Sequence, residues 1–365
     1  MQNIPKRKPG LDALRFFACI GIVLLHYSNY SCPDGVWFGS LLIDPAAADS
    51  RINLNLMVEI FFFLSGFLIF PYTEKIRQGL TFRDFIVPRL IRIIPMLTAG
   101  TVLLVIVSRL LSFSGNDHNV ADITPHLWGI ISSCLGISYC NIFASADINQ
   151  ASWYLDILIT CYVLFYMIVK ISKKTNTNIL YYYPVLILLG GTCYAHSFSL
   201  PFMSNLSGRG YEAFFSGALF SYFFESGMQK KRYYLFSVSV IAIYTIYLFL
   251  HPELLLSGKV HLYNFFVTPS LLILFTSPLA EKIFASKIWS ILGKVTYSVY
   301  ILHIVILLGL FLTENILGLK IDYAHEVVFF FFILITLLIS SIVYYVFEKP
   351  LSGYLLKKLS TNRSS

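Results

Sequence analysis

Apolar positions run in long unbroken stretches, separated by short polar breaks, from residue 11 to residue 347. Runs such as LFSVSVIAIYTIYLFL and VVFFFFILITLLISSIVYYVF approach or exceed the roughly 20 residues a helix needs to cross hydrocarbon at 1.5 Å per residue. The runs are continuous and do not alternate over about ten residues, which argues against a β-barrel. Reading runs against breaks predicts ten transmembrane helices, near 11–30, 54–72, 88–110, 152–170, 179–197, 210–225, 232–250, 260–280, 292–312 and 326–347. The segment HLWGIISSCLGI at 126–137 is too short to cross and is expected to be re-entrant or interfacial. The expected fold is therefore an all-α, polytopic helix bundle. Residues 1–351 form one membrane domain and 352–365 a short cytoplasmic tail.

Composition agrees with that pattern. Charged residues make up 13% of the chain, about half the usual share, so too little polar material is present to coat a soluble particle. Lys and Arg gather at alternate loops: Lys6, Arg7 and Lys8; Lys75, Arg77 and Arg83; Lys170, Lys173 and Lys174; Lys230, Lys231 and Arg232; Lys282 and Lys287; Lys357 and Lys358. The long 111–151 connection instead holds Asp117, Asp122 and Asp147. The positive-inside rule then places both termini in the cytoplasm and explains the net charge of +8 by topology, with no nucleic-acid partner. The first run carries Asp12, Arg15 and His26 and is not read as a cleavable signal. Of the six cysteines, Cys19, Cys134, Cys161 and Cys193 read as small buried hydrophobes; Cys32 and Cys140 fall in outer loops, where a pairing is open.

Ionisable groups at membrane depth are costly and so mark functional candidates. Arg15 lies near the inner end of the first helix, and His26, eleven residues on, lies about 16 Å higher. Glu59, about five residues below the outer end of the second helix, falls at the depth of His26. A histidine beside a carboxylate is suited to proton abstraction, because the carboxylate fixes the ring tautomer and stabilises the imidazolium. The plain alternative is two satisfied polar groups joining helices. Trp153, Asp156, Arg209 and Glu212 lie toward the external face and suit the rim of a polar acceptor site, although a Trp belt and an Arg–Glu pair account for them equally. His303, near the middle of its helix, suits either a channel wall or packing. Arg89 and Arg92, three apart in FIVPRLIRIIP, share a face and with Arg15 form a basic cluster fit for phosphate. No phosphate-binding glycine loop, zinc-ligand spacing or dinucleotide fingerprint is present, so no metal or permanently bound cofactor is expected.

With those residues in view, the chain resembles the acyltransferase-3 family of integral membrane O-acyltransferases, which modify bacterial cell-envelope and exported glycans. LDALRFFACIGIVLLH resembles the family's first helix, with Arg15 and His26 at its Arg and His. VEIFFFLSGFLI resembles the second, with Glu59 where Asp is commoner, and PRLIRIIP resembles the R-x-x-R element at Arg89 and Arg92. YSVYILH at 297–303 and FEKPL at 347–351 resemble the closing helices. At the fourth helix WYLDIL departs from the family's W-S-L-x-x-E, with Leu158 at the Glu position and Asp156 two earlier. The esterase-like domain that some members append is not expected.

The resemblance implies acyl-CoA, commonly acetyl-CoA, as co-substrate from the cytoplasm, gripped by Arg15, Arg89 and Arg92. It implies a glycan or glycolipid acceptor near the external face, His26 as base with Glu59 behind it, and residence in the bacterial inner membrane. Direct transfer is expected over an acyl-enzyme, since neither Ser65 nor any cysteine has an evident activating partner. The rival reading is a transporter or glycan-export component, which a helix bundle with polar groups at several depths would also serve.

Overall fold

A computed structural model describes residues 8–32, 34–38, 41–43, 54–115, 126–142, 148–225, 231–250 and 260–361. Lys6, Arg7, Asp117, Asp122, Asp147 and Lys230, used above to orient the chain, lie outside the described residues.

Among the described residues the fold is all-α apart from a small antiparallel hairpin, Val36–Phe38 with Leu41–Ile43, in the loop after the first helix, and an isolated bridge between Leu200 and Met203. The helices in chain order are α1 (Pro9–Ser31), α2 (Met57–Ile69), α3 (Tyr72–Arg77), α4 (Phe82–Ser114), α5 (Leu127–Leu135), α6 (Trp153–Lys174), α7 (Tyr182–His196), α8 (Asn205–Glu225) and α9 (Lys231–Leu250). There follow α10 (Val260–Phe275), α11 (Pro278–Ile283), α12 (Lys287–Leu317) and α13 (Glu326–Thr361). Thr81 caps α4 by accepting the Asp84 N–H at 3.1 Å, and Ser286 caps α12 in the same way through Ile288 N–H.

Ten crossings are not what the structure has. Among the described residues five helices are long and apolar enough to cross a membrane: α1, α4, α6 with the turn before it, α12 and α13. The other runs fold differently. α2 has 13 residues and α7 has 15, about 20 and 22 Å at helical rise, against roughly 30 Å of hydrocarbon. α10 is also short and turns π-helical over Tyr263–Val267. α8 is longer, but its first turns hold Arg209 and Glu212, and it falls outside the five, as does α9. Alternation over an even ten therefore no longer fixes both termini on one side. α5, over the 126–137 segment, has nine residues and is far too short to cross.

The buried centre is α12, solvent-free nearly continuously from Val295 to Leu308 and packed on α1, α4 and α13. Around it the outer faces of α4 and α13 expose Ile106, Leu110, Phe330, Phe331, Leu334 and Leu338. A bundle whose outer faces are as apolar as its core, with the polar groups gathered inside, is built for lipid. α2 and α8 approach backbone to backbone: a methyl on Gly66 would lie 1.8 Å from the Phe214 carbonyl oxygen, and one on Gly217 2.0 Å from that of Phe63. Only glycine permits this contact, which presses the SGF turn of α2 against α8. Cys140 is a free thiol, beside Thr160 at 3.6 Å, so it is not bridged to Cys32.

Candidate active site

α1 links two levels of the bundle, because Arg15 and His26 are three helical turns apart, about 16 Å. Each level has a cavity.

The upper cavity, about 450 Å³, is lined by His26, Asn29, Tyr30, Gln150, Trp153 and Arg209 among others. Arg209 comes from the first turn of α8, held there by the close α2–α8 packing. Its Nε donates to Glu59 Oε1 at 2.5 Å and its Nη2 to Glu59 Oε2 at 2.9 Å, with a further bond from Nη2 to the Asn55 carbonyl at 2.8 Å. The guanidinium lies over the Trp153 ring, 5.0 Å from its centre. Two-pronged pairing suits the planar fork of arginine and fixes its orientation. Glu59 is fully buried, so its carboxylate is shielded from water and salt while Arg209 borders the cavity.

Depth matching places Glu59 level with His26, yet the carboxylate engages Arg209. The ring that meets His26 belongs to His303: His26 Nδ1 and His303 Nε2 are 2.7 Å apart and the rings are nearly parallel, at 11°. Sequence reasoning marked His303 without seeing this contact. The available signal was height, since His303 sits past the middle of α12 and α12 packs along α1.

The lower cavity, about 590 Å³, is lined by Arg15, Arg92, Lys294, Glu348, Lys349 and several tyrosines. A smaller pocket of about 310 Å³ shares Arg15, Ser65, Arg92 and Tyr162 with it and adds Arg89. Arg89 is enclosed by aromatic faces, 4.0 Å from the Phe85 ring centre and 4.3 Å from that of Tyr72, and it donates to the Phe85 carbonyl. Arg15 has Asp12 at 3.8 Å and remains about a third exposed. Lys294, Lys349 and Glu348 were not singled out from sequence. Charges interrupting the last apolar stretch, in FEKPL, were the signal, and the π-helical turn Tyr344–Glu348 adds a residue just where Glu348 meets Ser298 Oγ, at 2.5 Å. Phe61, Tyr154 and Tyr300 line the roof of this cavity, with ring centres 5.7–6.1 Å apart.

Of the marked residues, Glu59, His303, Asp156 and Glu212 line neither cavity; the first two stand behind Arg209 and His26, and the last two are bound elsewhere. Asp156 accepts the Tyr139 N–H at 2.9 Å and so anchors the turn after α5. Glu212, nearly one turn further along α8, accepts instead from His261 Nδ1 at 2.8 Å and Asn264 Nδ2 at 3.1 Å. Arg209 and Glu212 are thus partners in separate pairs. No group of three His, Cys, Asp or Glu able to hold a metal occurs among the described residues.

The described residues thus form a helical bundle of membrane type, with a cationic cavity at one level and a histidine–arginine cavity at another. The profile of a family described as an acyltransferase domain, acyltransferase-3, matches residues 8–346, and the chain belongs to that family. Neither the curated proteins nor the solved structures gave a match.

Proposed function

We propose that the chain transfers an acyl group, most simply acetyl, from acyl-CoA in the lower cavity to a hydroxyl of an envelope or exported glycan in the upper one. The observation that carries this reading is the pair of cavities stacked along α1, one lined by Arg15, Arg92, Lys294 and Lys349, the other by His26 and Arg209. Phosphates of the donor suit the first set. A sugar suits the second, where Trp153, Asn29 and Gln150 offer a ring face and amide groups. The basic helix ends gather at the lower level: Arg77 bonds Ser172, and Lys173 bonds the Arg77 carbonyl. By the positive-inside rule this level faces the cytoplasm, where acyl-CoA is found.

His26 takes the proton of the acceptor hydroxyl as its oxygen attacks the thioester carbonyl. The tetrahedral oxyanion collapses, the C–S bond breaks, and the thiolate of CoA receives the proton from His26, leaving ester and thiol. Glu59 and Asn55 occupy Nε and Nη2 of Arg209, which presents Nη1 to the developing negative charge. Glu59 acts in this scheme by holding Arg209. The test is mass spectrometry of surface glycan from strains with and without the gene. Loss of an acyl mass on deletion, restored by the wild-type gene, is the expected result; identical glycan from both strains contradicts the reading.

A further inference from the structure

The hydrogen bonds at the two histidines determine where their hydrogens lie. His303 is one turn beyond Val299 on α12, and its Nδ1 stands 3.2 Å from the Val299 carbonyl oxygen. A carbonyl only accepts, so His303 Nδ1 carries hydrogen. A neutral imidazole has one N–H, which leaves His303 Nε2 with a bare lone pair. That lone pair is 2.7 Å from His26 Nδ1, so His26 Nδ1–H donates to it. The ring of His26 is then bare at Nε2. Both rings cannot be cationic at once, because two N–H groups would point at each other across 2.7 Å.

We infer that His303 is a positioning residue that fixes His26 in its Nδ1–H tautomer and so presents Nε2 as the base, an assignment that rests on the base reading of His26. His26 borders the upper cavity, whereas His303, 1% exposed, does not. A histidine released from such a contact favours the opposite tautomer, which would offer the hydroxyl an N–H in place of a lone pair. Once His26 is protonated at Nε2, its Nδ1–H remains on His303 Nε2, and His303 passes part of the charge to the Val299 carbonyl. An imidazole thus fills the place usually held by a carboxylate, which Glu59 cannot fill while it is bound to Arg209.

The experiment uses full-length protein in lipid nanodiscs, acetyl-CoA, and glycan from the deletion strain as acceptor. His303→Leu should lower kcat by about a hundredfold or more, within the range of general-base catalysis, with both KM values within about twofold of wild type. His303→Gln, whose amide oxygen reaches the position of Nε2, should keep about a tenth of the wild-type rate or more. A His303→Leu protein with full kcat, or a His303→Gln protein as slow as His303→Leu, overturns the assignment. His26→Ala separates the two claims: activity there removes the base itself, whereas an inactive His26→Ala beside a fully active His303→Leu removes only the tautomer role. If both His303 variants fail to accumulate, ¹⁵N spectra of histidine-labelled wild type and His26→Ala decide. The difference signal should be an Nδ1–H ring, and an Nε2–H ring overturns the inference.

Discussion

Arg209 is held on three sides, by both oxygens of Glu59 and by the Asn55 carbonyl, with Trp153 under its face. A buried ion pair of this kind is costly to break from one side, because the survivor keeps its charge without a partner; such losses run to about 3–5 kcal/mol. Glu59→Ala should therefore lower the melting temperature and reduce kcat, whereas Glu59→Gln, retaining one hydrogen bond, should do less of both; equal effects would show that charge is not what matters there. In the lower cavity, Arg92→Ala should raise KM for acetyl-CoA by about tenfold and leave that of the acceptor within about twofold. The reverse pattern in steady-state kinetics would move Arg92 out of the donor site. Height along the helices was legible in sequence, since Arg15, His26 and Glu59 can be ranked by counting turns. Facing was not. Glu59 lies level with both His26 and Arg209, and the choice between them depends on the α2–α8 contact, 150 positions apart in sequence.

α2 shows why a run of apolar residues does not define a crossing. Its sequence continues apolar to Phe70, but the helix stops at Ile69 and turns at Pro71 into α3, after 13 residues. The same shortness marks α7 and α10, and the three together account for much of the gap between ten expected spans and five. Hydropathy reports what tolerates lipid or a protein core and cannot tell the two apart in short segments. α2 is instead clamped by glycine. Gly66→Ala would set a methyl 1.8 Å from the Phe214 carbonyl, so helices must separate. Thermal unfolding in detergent should show a loss beyond the about 1–3 kcal/mol of ordinary overpacking, with loss of activity, because α2 and α8 carry Glu59 and Arg209. Retained stability would mean that the helices are not in such contact.

The whole molecule carries two differently lined cavities along α1, with Phe61, Tyr154 and Tyr300 in the wall of the lower one. That division into a basic lower level and a histidine-bearing upper level was readable from the spacing of Arg15 and His26, because one helix carries both. The lining by Glu348 and Lys349 was not, since the π-helical turn Tyr344–Glu348 alters which face of α13 they occupy, nor was that by Lys294, which depends on how α12 is turned in the bundle. In intact cells, a cysteine placed at Asn29 should react with an impermeant maleimide added outside, and one placed at Lys349 only after the membrane is opened. Labelling of both from the same face would contradict the stacked arrangement. The most direct measurement is transfer of radiolabelled acetyl from acetyl-CoA to unacylated glycan by the purified protein in nanodiscs, wild type beside His26→Ala. The account predicts labelled glycan with wild type and at least a hundredfold less with His26→Ala, the lower bound expected of a lost general base at about 10²–10⁴; equal labelling by the two proteins would contradict it.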